Sequence, residues 1–281
     1  MSRSLLRRLL RDAPQVSPFL VLGDPTPELS VELAKTSVFC GARMIELGFP
    51  YGDPVADGPA IQRADMRALG NGTSTSQAMV ILGRIRDACP KTPLNLLVYA
   101  NLVHARGFDR FCKEAADGGA SSLLVPDVCL EESAPLKKAC QKAGLGHVQL
   151  IGPLTPPERL KRIDAAATGF IYLVAHQGVT GVRGGNFDDV EALVAATARQ
   201  LRNPLCVGFG LSKPEQIRRV LAAGARLAVV GSHLADVIGE SAESTESTES
   251  TESRRRDHLL AAYSQALEPL VTAASQEERK T

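Results

Sequence analysis

Three carboxylates, Glu46, Asp53 and Asp57, punctuate the run ELGFPYGDPVADGP at positions 46–59. Two acids flanking a Gly/Pro-rich loop suggest acid-base chemistry. Pro50, Gly52, Pro54, Gly58 and Pro59 are too dense for a helix or strand to pass, so the segment is predicted to be a shaped loop. Loops of that kind, held on rigid elements, commonly carry chemistry. Glu46 follows the run Gly41-Ala42-Arg43-Met44-Ile45 and ends a strand. A partly desolvated carboxyl there has a raised pKa and can both donate and accept a proton near neutrality. A structural ion pair is the other reading. Asp57, just before Gly58-Pro59, reads equally as an acid of the site or as a turn or capping residue. Asp53, beside Pro54, reads as a loop-shaping or surface-contact acid.

Three glycine motifs sit further on: Gly178-Val179-Thr180-Gly181, Gly208-Phe209-Gly210 and Gly231-Ser232. Each alone is ordinary turn punctuation. Together, at three successive strand ends, they suggest a phosphate cradle in which glycines admit the oxygens close to backbone N–H groups. A helix starting at Ser232 adds the positive end of its dipole.

These residues need a scaffold, and the chain supplies a repeating one. Short apolar runs at Pro18–Gly23, Met44–Leu47, Leu94–Tyr99, Ser122–Val125, His147–Ile151, Phe170–Val174, Leu205–Val207 and Leu227–Val230 each precede a segment of helical periodicity. After Met44–Leu47 there are two such segments, from about Pro59 and about Thr75. Continuous apolar strands alternating with helices indicate a parallel sheet covered on both faces. Eight units in a chain of 281 residues fit an α/β fold of the (β/α)8 TIM-barrel type, phosphate-binding, as a single domain over 1–281. The rival is an open doubly wound sheet, but no G-x-G-x-x-G turn follows the first strand. In a barrel, Glu46, Tyr99, Asp127, Gly181, Gly210 and Gly231 share one rim. An extra N-terminal helix is predicted, with Leu5, Leu6, Leu9 and Leu10 on one face. Residues 241–256 contain a Glu-Ser-Thr triplet repeat followed by three arginines and read as a low-complexity insertion without fixed structure. A last amphipathic helix places Leu259, Leu260, Tyr263, Leu267, Leu270 and Val271 on one face.

A net charge of +1, 44% apolar residues and the lack of a basic stripe interleaved with aromatics give no support for nucleic-acid or membrane binding. No apolar run approaches the ~20 residues of a membrane span. The N-terminus, MSRSLLRRLLRDAP, lacks the uninterrupted apolar core of a secretory signal; a transit peptide is the weaker alternative. Six cysteines lie scattered without metal spacing, so reduced, mostly buried thiols, no metal, and a cytoplasmic protein are expected.

From Phe19 to Ser232 the chain resembles the tryptophan synthase α-subunit family. The matching stretches are Pro18-Phe19, Leu22-Gly23-Asp24-Pro25, the whole carboxylate run, Tyr99-Ala100-Asn101, Val125-Pro126-Asp127, Tyr172 and the three glycine motifs. The resemblance implies a lyase that cleaves indole-3-glycerol phosphate to indole and glyceraldehyde 3-phosphate in tryptophan biosynthesis. It implies Glu46 as the acid-base residue and Asp57 as the acceptor of the indole N–H. Tyr172 would lie near Glu46, and Phe19, Leu97, Tyr99, Leu124 and Phe209 would form the apolar indole slot and its surroundings. Thr180, Gly181, Gly210, Gly231 and Ser232 would take the phosphate, and Asp53 would contact a partner. That partner would be the β subunit of an α2β2 complex. Pyridoxal phosphate would belong to the β subunit, leaving this chain without a cofactor. A stand-alone lyase, a non-catalytic regulatory phosphate-binding subunit and another sugar-phosphate barrel enzyme are the competing readings. The chain departs from the family pattern at Ala175-His176-Gln177, where Ser-Arg-x usually precedes Gly178, at Val21 in place of a common threonine, and in the triplet insertion.

Overall fold

Runs of Val, Ile and Leu with no polar face can only be stable where both faces are covered, and here each run becomes a parallel strand between the barrel interior and a layer of helices. The computed structural model describes residues 2–12, 14–174, 187–208, 210–246 and 252–278. Its strands are β1 (Gln15–Val21), β2 (Ile45–Gly48), β3 (Leu94–Leu97), β4 (Ser122–Leu124), β5 (Gly146–His147), β6 (Gln149–Ile151), β7 (Ile171–Val174), β8 (Leu205–Gly208) and β9 (Leu227–Val230). All pair in parallel in the order β5-β4-β3-β2-β1-β9-β8-β7-β6. Only Val148 separates β5 from β6, and its N–H still donates to Leu123 O at 3.0 Å. The two segments are therefore one stave, paired with β4 on one side and β7 on the other. The sheet closes through it into an eight-stave barrel, as the eight-unit pattern predicts.

Among the described residues twelve helices flank the strands: α1 (Ser2–Leu9), α2 (Pro27–Phe39), α3 (Pro59–Gly70), α4 (Thr75–Ala88), α5 (Ala100–Arg106), α6 (Phe108–Asp117), α7 (Ala134–Ala143), α8 (Pro157–Ala166), α9 (Phe187–Ala198), α10 (Pro214–Ala222), α11 (Ser232–Glu246) and α12 (Glu252–Glu278). Their starts are written locally. The Thr26 hydroxyl accepts from Leu29 N ahead of Pro27, and Ser74 with Gln77 forms a capping box on α4. The outward faces of the strands pack with these helices into the larger core. The inward faces make a second one. Leu6, Leu9 and Leu10 join that inner core beside Met44, Phe170 and Leu227, so α1 plugs the floor of the barrel; Leu5 is only half-buried.

The last helix packs on α2, α10 and α11. The hydroxyl of its buried Tyr263 lies 2.7 Å from Ser37 Oγ. Composition predicts no fixed structure for 241–256, yet 241–246 continue α11 and 252–256 open α12. Ser241 is buried and Ala242 packs on the outer core, so the helix is anchored where the repeat begins. Glutamate, a good helix former, then extends it. Residues 247–251 lie outside the described residues.

Candidate active site

Glu46 is the second residue of β2 and is only 1% exposed. Register places it opposite Phe19 of β1 and Asn95 of β3, with Asn95 opposite Ser122 of β4. Residues facing each other across parallel strands point to the same side, so all four project into the barrel. A polar relay results. Ser122 Oγ donates to Asn95 Oδ1 at 2.6 Å, and Asn95 Nδ2 donates to Glu46 Oε2 at 2.7 Å. The Tyr172 hydroxyl donates to Glu46 Oε1 at 3.3 Å. Burial pushes the Glu46 carboxyl up to about 7; the Asn95 and Tyr172 hydrogen bonds oppose the shift, and nearby Asp57 adds to it. Desolvation wins, which leaves the group poised between acid and base at neutral pH. Burial also holds the Tyr172 phenol well above its ordinary range, so it stays a donor to Glu46.

Asp57 lies in the loop between β2 and α3. The N-cap of α3 is Gly58, with no side-chain cap, so the Asp57 carboxylate is not spent on the helix end. It instead accepts a hydrogen bond from the Tyr99 hydroxyl at 2.7 Å. The same phenol oxygen accepts from Ala56 N at 3.1 Å, and the Tyr99 ring stacks on Tyr51 with centroids 4.8 Å apart. Burial raises the Asp57 pKa, and the Tyr99 hydrogen bond opposes that rise.

Both carboxylates line a cavity of about 440 Å³ at the C-terminal rim, a volume within the usual range for small-molecule sites. Phe19, Leu97, Leu124 and Tyr172 form its walls, and Gly210, Gly231 and Ser232 line it too. Ser232 opens α11, so a helix N-terminus faces this space. Tyr99 lies in the surroundings of the cavity. It holds the Asp57 carboxylate from behind and is not among the residues lining the cavity. Asp53 stands exposed on the loop, away from the cavity lining. Asp127, expected on the rim, caps α5 by accepting from Ala100 N at 2.9 Å. Thr180, Gly181, Phe209 and the Ala175-His176-Gln177 departure lie outside the described residues.

Two glycines shape the walls by having no side chain. A Cβ on Gly208 would stand 2.5 Å from Tyr172 Cε1, and one on Gly48 would stand 2.5 Å from Phe19 Cζ. Gly208, read from sequence as part of a phosphate cradle, thus makes room for the tyrosine that touches Glu46. Sequence reasoning also passed over Asn95 and Ser122. A polar residue inside each of two otherwise apolar strands was the available signal. Ile61, Leu150 and Val229 complete the apolar wall and carried no signal beyond hydrophobicity.

Residues 9–264 match the family described as tryptophan synthase alpha chain. This chain belongs to that family. It is 45% identical to the tryptophan synthase alpha chain of Prochlorococcus marinus over 217 residues, covering 77% of this chain and 78% of the relative. It is 40% identical to that of Methanothermobacter thermautotrophicus over 221 residues, covering 79% and 82%. Among solved structures, tryptophan synthase subunit alpha of Legionella pneumophila superposes with a TM-score of 0.83 at 30% identity, covering 98% of this chain and 99% of the other. A chain of the tryptophan synthase α2β2 complex of Pyrococcus furiosus superposes with a TM-score of 0.81 at 33% identity, covering 93% and 99%. Among the described residues no helix is long and apolar enough to cross a membrane.

Proposed function

We infer that this chain is the α subunit of a tryptophan synthase, a lyase that cleaves indole-3-glycerol phosphate to indole and glyceraldehyde 3-phosphate and works with a β subunit. The observation that carries the reading is the pairing of Glu46 with Asp57 in one apolar cavity, within a chain of this family. Breaking the bond between indole C3 and the glycerol chain first requires a proton on C3. Protonated Glu46 supplies it, giving an indolenine cation. Asp57 accepts the indole N–H and stabilises the positive charge as it develops, an effect that is large in a dry site. The electrons of the breaking carbon–carbon bond flow into the indolenine. The adjacent glycerol hydroxyl gives its proton to the Glu46 carboxylate as the aldehyde forms, and this restores the acid. Asn95 and Tyr172 hold that carboxylate through both steps.

The phosphate is assigned to Gly210, Gly231 and Ser232 at the N-terminus of α11, together with Thr180 and Gly181. Phe19, Leu97, Leu124 and Phe209 are assigned to the indole ring. Asp53, exposed on the loop that carries Asp57, is assigned to the β subunit. Pyridoxal phosphate resides in that partner, and this chain works without a cofactor of its own, in the cytoplasm.

The test is indole release from indole-3-glycerol phosphate by the purified chain, with and without a β subunit. Coupling between sites is typically worth ~1–3 kcal/mol, so the partner should raise the rate roughly 5- to 150-fold. Indole release unaffected by the partner would support a stand-alone lyase. Absence of indole under both conditions would overturn the lyase assignment.

A further inference from the structure

The cavity end of α11 is braced from outside the cavity by a side chain of α3. Ala235 N donates to Gly231 O at 2.9 Å and closes the first turn of α11. The N–H groups of Ser232, His233 and Leu234 come before the helix's own ladder, and these are the donors that a phosphate at this helix end would use. Where they lie depends on what fixes that first turn.

Arg67 of α3 reaches it while gripping a third element. Its Nε and Nη2 donate to Oδ1 and Oδ2 of Asp24, in the turn after β1, at 2.7 and 2.9 Å, and Nη2 also reaches Ala235 O at 3.5 Å. Nη1 lies along α11: a Cβ on Gly239, one turn beyond Ala235, would stand 2.8 Å from it. One planar guanidinium therefore joins the turn after β1, α3 and α11. The pair is largely withdrawn from solvent, with side chains 20% exposed for Arg67 and 2% for Asp24. Removing one partner of such a pair leaves the other charge buried alone. A second tie between the two helices, Arg63 to Asp236 at 2.6 Å, has side chains 58% and 43% exposed, and solvated pairs of that kind hold little. Arg67 is not among the residues lining the cavity. Ile61, earlier on the same helix, lines it and packs beneath Gly231, where a Cβ would stand 3.6 Å from Ile61 Cδ1. A shift of α3 against α11 would therefore be felt at Gly231 and Ser232.

We propose that Arg67 is a positioning residue for the phosphate end of the substrate: clamped by Asp24, it fixes the first turn of α11 against α3 and β1 and so sets where the phosphate-binding N–H groups lie. This rests on the assignment of the phosphate to that helix end made above. Arg67→Lys keeps the charge and can satisfy one Asp24 oxygen, but an ammonium cannot span the carboxylate and Ala235 O as a planar fork does. A handle that grips substrate and transition state alike acts on binding, so in Arg67→Lys inhibition by glycerol 3-phosphate weakens about fivefold and KM for indole-3-glycerol phosphate rises by a similar factor, while kcat and inhibition by indole stay within about twofold. Gly239→Ala puts a methyl where Nη1 lies, in a helix interior that favours alanine, and repeats the pattern at about threefold. Arg63→Ala, which removes only the solvated tie, leaves all four quantities within about twofold of wild type.

The measurements are the inhibition constants of glycerol 3-phosphate and of indole, with KM and kcat, in the three variants and wild type. Equal weakening of both inhibitors in Arg67→Lys would mean a general loosening of the barrel and would overturn the proposal, as would no change in either. The same selective shift in Arg63→Ala would overturn it too. Should Arg67→Lys not fold, Gly239→Ala decides alone by the same outcomes. Failure of glycerol 3-phosphate to inhibit wild type would overturn the phosphate assignment itself, whereas inhibition of wild type that neither Arg67→Lys nor Gly239→Ala weakens overturns only the role of Arg67.

Discussion

Glu46 is deep in the barrel yet, among the described residues, meets only neutral hydrogen-bond donors, Asn95 and Tyr172. A cation in their place would have fixed it as a permanent carboxylate, useless as an acid near neutrality. Its burial has a stability consequence with a definite sign. Its folded pKa of about 7 exceeds the ordinary value of 4.5, so the folded chain retains a proton that the unfolded chain releases first. Stability from this group is therefore greatest at low pH and falls as pH rises from 4.5 to about 7. Glu46→Gln should stabilise the protein at pH 8 by up to about 3 kcal/mol, and by much less at pH 5. Denaturant unfolding at the two pH values checks this; an equal effect at both would mean that the carboxyl is not desolvated. The acids of the site were legible because carboxylates beside Gly and Pro stand out in a strand-to-loop run. Asn95 and Ser122 were legible in principle.

At the scale of elements, the site depends on strands approaching closely. Gly208 of β8, whose register partner is Val174, leaves space for the ring of Tyr172, two residues back along β7 and paired with Cys206. Gly208→Ala should move the phenol off Glu46, lower kcat at least ~10-fold by loosening the reacting geometry, and cost about 1–3 kcal/mol of stability as overpacking does. Wild-type kcat in a folded Gly208→Ala would remove Tyr172 from the support of Glu46. The eight strand–helix units were readable from the chain because both-face burial writes continuous apolar runs. The break at Val148 within one stave was not, since hydropathy does not record a ladder interruption. The helical ends of the triplet repeat were missed for a different reason. Composition reports the lack of a core-facing stripe, but it does not report that Ser241 and Leu259 are already anchored on either side.

Across the whole molecule, function is divided between two ends of the barrel. α1 closes the floor with leucines, and the opposite rim carries the cavity, the Asp57 loop and exposed Val55 and Leu154. A rim of this kind suits a protein whose product passes to a partner, as proposed for the β subunit. In the proposed mechanism the reaction depends on one proton carrier, Glu46. The measurement that tests this most directly is single-turnover cleavage of indole-3-glycerol phosphate by Glu46→Gln, with substrate affinity measured in parallel. Glutamine keeps the size and the hydrogen-bonding reach of the side chain but cannot give or take the proton. The expected result is near-wild-type affinity with the cleavage rate reduced at least ~10²-fold, about 3 kcal/mol or more on the barrier. Cleavage at close to the wild-type rate would contradict the assignment of Glu46 as the acid and base of the reaction.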